Sequence, residues 1–209
     1  MQLPAGFRYA GVHAGLKPVR KDVALIASET PCVAAGRFSQ NAAAAAPIVD
    51  ARPRLPSAAV MAVVVNSGNA NALTGAAGLA DVVAVRTAVG AALGAPADAI
   101  LTASTGMIGV RLPVHKLIAA APALVAGLTA APEPAAEAIL TTDTRTKLAA
   151  RTIDVGGRAV TLAAFAKGSG MIAPQLATML AIVTTDAAIA PAQLDRALAA
   201  AVLPQRPQP

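Results

Sequence analysis

Aromatic side chains are almost missing from this chain, which has three Phe, one Tyr and no Trp among 209 residues. Its core must therefore be built from small aliphatic side chains, since much of its hydrophobic content is alanine. The same scarcity argues against a nucleic-acid groove, which combines aromatic stacking platforms with clustered basic residues. Here the net charge of +6 is scattered along the chain. A lone cysteine, Cys32, excludes a disulfide framework and a cysteine metal site, and points to a reducing, cytoplasmic setting. His13 and His115 stand far apart without ligand spacing, so both are read as surface or core residues and no metal is expected. Met1 to Ala10 lacks the charged-then-apolar pattern of a signal peptide. The longest run considered as a membrane span, Leu117 to Ala131, is too short and is interrupted by Pro122 and Gly127.

What is present suffices for one large domain or two small ones, burying about 70% of the unfolded surface. The basic balance suits a small anionic substrate. Gly6 to Lys17 reads as a loop, and Asp22–Ala27 and Val33–Ser39 as two short strands. Ala58 to Val65 is an unbroken apolar, β-branched run, expected as a strand buried on both faces. Asn66-Ser-Gly-Asn-Ala-Asn71 follows, with residues suited to a turn. Val82, Val85, Val89 and Leu93 recur at helical spacing, and Gly94 and Pro96 supply a stop. Ala99–Ser104 reads as a strand running into Thr105-Gly-Met-Ile-Gly109. The N–H groups of that turn either converge on an anion or merely end the strand.

Pro113 opens a helix that Pro122 should kink or split. Ala135–Leu140 is a short helix. Thr141-Thr-Asp-Thr144 is dense in hydroxyls, suited either to a substrate carboxylate or amide or to capping. Ala150–Val155 and Ala159–Phe165 form a hairpin around Gly156-Gly157. A last helix starts at Pro191, with Leu194, Leu198 and Val202 on one face. The mixture of strands and helices is an α/β (mixed α+β) pattern.

The chemistry concentrates in Lys167-Gly-Ser-Gly-Met-Ile-Ala-Pro-Gln-Leu-Ala-Thr178 and the apolar run Met179–Val183 behind it. A threonine hydroxyl needs a neighbouring base to act as a nucleophile, and cutting the chain before the threonine frees an α-amine on the same residue. With a pKa of about 7.7 to 8.0, roughly 10–20% of that amine is free base at pH 7. A cation such as Lys167 would raise that fraction. Taken locally, the sequence favours the plainer reading of Thr178 as a strand residue and Gly168-Ser169-Gly170 as a turn, and segments elsewhere in the chain reverse that preference. A phosphate-binding loop is excluded because the lysine precedes the glycines.

Taken together, Val65–Asn71, Ala103–Gly109, Thr141–Thr144 and Lys167–Leu180 resemble, in order and spacing, the ornithine acetyltransferase (glutamate N-acetyltransferase) family of arginine biosynthesis. The likeness runs from about Gly6 to Val202. It implies an αββα-sandwich-type, self-cleaving threonine-nucleophile fold, cut between Ala177 and Thr178 into two chains that stay together as a heterotetramer of two α and two β chains. Thr178 would carry the acetyl group from N-acetylornithine to glutamate. Thr105 and Gly106 match the oxyanion positions, and Thr141, Lys167 and Thr178 match positions that contact substrate. No metal or organic cofactor is implied, and acetyl-coenzyme A is left open as a further donor. Neither nucleic acid nor membrane is implied as a partner.

On this resemblance residues 1–177 correspond to the family's α subunit, 178–202 to the start of its β subunit, and 203–209 to an unrelated tail. The C-terminal half of the fold is then expected to be missing, leaving an apolar sheet face uncovered. Two rival readings stay open. One is a threonine-nucleophile amidase or aminopeptidase with water as acceptor. The other is an inactive fragment that only associates with a partner chain.

Overall fold

The β-branched run beginning at Val60 lies in the middle of a four-stranded sheet. The computed structural model describes residues 1–170 and 179–202. The first sheet holds β1 (Phe7–Val12), β2 (Val23–Ala34), β3 (Ser57–Asn69) and β4 (Ile100–Met107), in that order. The first three pair antiparallel, and β4 runs parallel to β3. A parallel neighbour requires a crossover, which here carries α2. The second sheet is an antiparallel meander of β5 (Lys147–Val155), β6 (Arg158–Lys167) and β7 (Leu180–Thr185). The helices are α1 (Ala46–Ala51), α2 (Gly75–Leu93), α3 (Val114–Ala126), α4 (Glu133–Ala138) and α5 (Pro191–Val202).

These elements stack in layers. Val85 and Val89 of α2 and Leu117, Ala121 and Leu124 of α3 pack on the face of the first sheet formed by Val23, Leu25, Ala62 and Val64. The opposite face, with Tyr9, Ala24, Ile26 and Val65, meets α4 and Phe165 of the second sheet. The mixed α/β architecture is therefore as expected: helices cover one side of a sheet and a second sheet covers the other.

Tyr9 fastens the two sheets. Its ring meets Phe165 edge-on at 6.2 Å, and its hydroxyl lies 2.9 Å from Thr184 Oγ1 on β7. Burial raises its pKa, against the lowering effect of the Thr184 hydrogen bond. Tyr9→Phe is expected to lower unfolding stability by about 1 kcal/mol, read from the urea midpoint, because it leaves a buried threonine hydroxyl with one partner fewer.

Several local expectations need correction. Gly6 to Lys17 is not a loop throughout, because β1 occupies Phe7–Val12 and pairs residue for residue with β2. Of the two short strands expected, Asp22–Ala27 and Val33–Ser39, the first (from Val23 on) and only the start of the second belong to a single strand, β2, which ends at Ala34, and residues 35–39 form no strand. The register of β2 shifts between Ala27 and Cys32, around Pro31, which has no N–H to give the ladder. The asparagine-rich segment expected as a turn continues β3 as far as Asn69. Pro122 neither splits α3 nor ends it. It stands on the exposed side, where water can serve the carbonyl left without a donor.

The helix and stop expected around Val82–Gly94 are present, with Gly94 in the left-handed region at φ 72°. Among the described residues α2, rather than Leu117–Ala131, is the helix whose length and composition would allow a membrane crossing. It instead buries Val82, Val85 and Val89 in the fold.

Candidate active site

The polar ends of β3 and β4 run side by side, with Asn66 opposite Ser104, Ser67 opposite Thr105 and Gly68 opposite Gly106. Side chains tie this pair together. Ser104 Oγ donates to Asn66 Oδ1 at 2.6 Å, and Asn66 Nδ2 donates to the Asn69 carbonyl at 2.8 Å. Asn69 Nδ2 holds the following loop through the Val110 and Arg111 carbonyls. Ser67 Oγ reaches the Ala138 carbonyl at the end of α4. The asparagines thus act as strand-end fasteners, although Asn71 does adopt a left-handed φ of 44°.

Thr105 is buried at the end of this ladder, and Gly106 follows with φ 136°. Lys167, the last residue of β6, is 4% exposed and donates to Thr105 Oγ1 at 3.3 Å. The fold therefore joins two candidate residues 62 positions apart in the chain. Burial lowers the Lys167 pKa, with Asp143 acting to raise it and Lys147 to lower it further. Leu180 lies opposite Lys167 in the sheet register, so the chain re-enters the second sheet beside this lysine. Ala177 and Thr178 lie outside the described residues.

Thr141 is half-buried on the loop after α4. Its neighbours bind the segment behind Lys167. Asp143 Oδ1 accepts the Gly168 N–H at 2.8 Å and also a bond from Lys147 Nζ, while Thr142 Oγ1 donates to the Ser169 carbonyl at 3.4 Å. Asp143 has a fully buried side chain. Burial would raise its pKa, but the Lys147 and Gly168 hydrogen bonds and the Lys147 and Lys167 charges outweigh that and lower it. Sequence reasoning drew attention to the hydroxyls of this segment and passed over the aspartate. The Asp143–Lys147 spacing of four gives no signal in the sequence, because the segment is a loop leading into β5 and not a helix.

Asp22 was also missed. Its carboxylate, with no exposed surface, accepts the N–H groups of Ala14 at 2.6 Å, Leu16 at 2.6 Å and Lys17 at 2.9 Å. That loop lies over Gly68, and Lys17 Nζ donates to the Leu140 carbonyl next to Thr141. Asp22→Asn replaces one accepting oxygen with a donor facing other donors. It is expected to cost about 2–3 kcal/mol, measured as a lower denaturant midpoint. His13 and His115 are both exposed, as one of the two settings expected, and no group that could hold a metal ion is present among the described residues.

The arrangement is chemically specific. A buried hydroxyl and a glycine N–H at a strand end are donors suited to a developing oxyanion, and a partly desolvated lysine adjoins them. A model of the ArgJ family matches residues 8–204. The arginine biosynthesis bifunctional protein ArgJ of Symbiobacterium thermophilum is 49% identical over 201 residues, covering 93% of this chain and 50% of its own length. The Geobacter sulfurreducens protein of the same name is 48% identical over 193 residues, covering 91% and 49%. The chain thus spans about half the length of the curated relatives it matches. The crystal structure of ornithine acetyltransferase from Mycobacterium tuberculosis, complexed with ornithine, superposes with a TM-score of 0.76 at 40% identity, covering 85% of this chain and 94% of that one.

Proposed function

The chain belongs to the ArgJ family of arginine-biosynthesis enzymes, and from that premise we propose that it forms the part of an acetyltransferase that carries the nucleophile. In this reading the chain is cut between Ala177 and Thr178, and residues 1–177 and 178–202 remain associated as parts of the two subunits. The Thr178 hydroxyl attacks the acetyl carbonyl of N-acetylornithine and passes its proton to the freed α-amine. The tetrahedral intermediate collapses to an acetyl ester on Thr178, and ornithine leaves with the returned proton on its amine. The glutamate amine then attacks the ester, giving N-acetylglutamate and regenerating the hydroxyl.

The observation that carries this reading is the hydrogen bond from Lys167 to Thr105 beside the re-entry of the chain at Leu180. It brings a buried threonine hydroxyl, a buried lysine and Leu180 together from three parts of the sequence. Thr105 Oγ1–H and the Gly106 N–H would stabilise the oxyanion, each such donor contributing about 2.7–4 kcal/mol. Thr141 and Lys167 would hold the substrate.

The scheme needs no metal or organic cofactor. Acetyl-coenzyme A is a second donor to test, and the working assembly would be two α and two β chains in the cytoplasm. Ile153, Val155 and Val183 are exposed on one face of the second sheet. The remaining length of the relatives' chains would supply a cover for it.

Incubation with N-acetylornithine, with and without glutamate, tests the reaction. N-acetylglutamate formed only when glutamate is present supports transfer. Release of acetate at the same rate without glutamate would make the chain an amidase.

A further inference from the structure

We propose that Asp143 and Lys147 are opposed positioning residues that set the charge on Lys167 and, through it, the direction in which the Thr105 hydroxyl points its proton. The idea rests on the reading of Thr105 and Lys167 as parts of the active site, but its test does not require turnover. The geometry is the starting point. Asp143 is buried beneath the Lys167–Ser169 segment, bonded to the Gly168 N–H at 2.8 Å and to Lys147 Nζ. Its other oxygen, Oδ2, is buried without a hydrogen-bond partner among the described residues. A carboxylate so placed keeps its negative charge next to the residue that follows Lys167, and its lowered pKa keeps it ionised at neutral pH.

Lys167 is faced by charges of both signs. Burial favours its neutral amine, Asp143 favours the ammonium, and Lys147 opposes the ammonium. The outcome matters because of the contact with Thr105. An ammonium has three donors and no acceptor, so at 3.3 Å from Thr105 Oγ1 it must donate. The threonine proton is then left for another acceptor, such as a substrate oxyanion. A neutral amine has a lone pair and can accept that proton instead, turning the hydroxyl away from substrate. Asp143 therefore maintains Thr105 as a donor, and Lys147, on the exposed side of the pair, weakens that influence.

The test is a ¹³C NMR titration of the full chain labelled at the lysine ε-carbons. The chain has five lysines, and the Lys167 signal is the one absent from Lys167→Arg. Asp143→Asn keeps an oxygen to accept the Gly168 N–H while removing the charge. The Lys167 midpoint is expected to fall by on the order of one pH unit. Lys147→Met should move it upwards. The high-pH limb of acetyl transfer should follow in the same directions.

Opposite shifts in the two variants cannot come from a shared loss of structure. A midpoint unmoved in either folded variant, or one that moves the same way in both, overturns the proposal. If circular dichroism shows Asp143→Asn unfolded, Lys147→Met decides alone: a rise supports the proposal and no movement overturns it. Opposite shifts in a chain that transfers no acetyl group would uphold the charge setting and count against the proposed reaction.

Discussion

Thr178→Ala is expected to leave one 20.6 kDa band on a denaturing gel, where under the proposed cleavage the parent chain should separate into pieces of 177 and 32 residues (209 − 177 = 32). The same substitution should reduce acetyl transfer by a factor on the order of 10⁴ or more, because it removes the atom proposed to hold the acyl group. Both losses have a single cause under the proposed chemistry. One hydroxyl attacks the Ala177 carbonyl and later the acetyl carbonyl. Thr178→Ser keeps the oxygen and should cleave and transfer more slowly without losing either reaction. Two fragments from Thr178→Ala would assign the cut to a contaminating protease and remove the main support for the nucleophile.

A second large effect is expected at Gly106. Its φ of 136° is poorly tolerated by other residues, and a Cβ there would lie 2.4 Å from the Gly68 carbonyl carbon and 2.6 Å from the Asn69 nitrogen. Both are backbone atoms of the paired strand, so no side chain can rotate aside. Gly106→Ala must therefore push β4 away from β3 at the point where Thr105 is held. The expected cost is about 3 kcal/mol or more, a fall in melting temperature of roughly 6–12 °C for a chain of this size. Transfer should fall more than stability alone accounts for if the proposed oxyanion donors, Thr105 and Gly106, are displaced with the strand. Gly109→Ala is the control, since Gly109 has a positive φ of 78° but no atom within 4 Å of the place a Cβ would take. Equal losses at the two positions would mean that backbone strain, rather than the close approach of the strands, sets the effect.

The parts of the fold that follow local rules were readable from the chain. The β-branched run at Val60–Val65, the Val82–Val85–Val89 stripe ended by Gly94, and the Gly156-Gly157 hairpin each carry their own periodicity or turn chemistry. The Asn66–Asn69 segment was misread for a physical reason. Asparagine and glycine disfavour strands in isolation, but here Ser104, Val110 and Arg111 satisfy the side-chain amides and the β4 ladder holds the backbone. Phe7–Val12 was misread because three glycines between residues 6 and 15 suggested a loop, while its strand form depends on β2 as partner.

At the site, Thr105, Gly106, Thr141 and Lys167 were marked by motif. The contact between Thr105 and Lys167 was not, since it depends on the way the second sheet packs on the first. Asp22 and Asp143 left little trace, because a buried carboxylate that collects backbone N–H groups needs no fixed spacing from its donors.

The position of β7 bears on what a cut in the main chain would change. This strand is zipped to β6 over six facing residue pairs, from Leu162–Thr185 to Lys167–Leu180. Beyond it, Arg37 grips Asp195 of α5 by a two-pronged bond at 2.6 and 2.9 Å. A severed peptide upstream of β7 would leave these attachments in place. Under native electrospray conditions the two pieces should travel as one ion, with the mass of a single water added to that of the uncut chain.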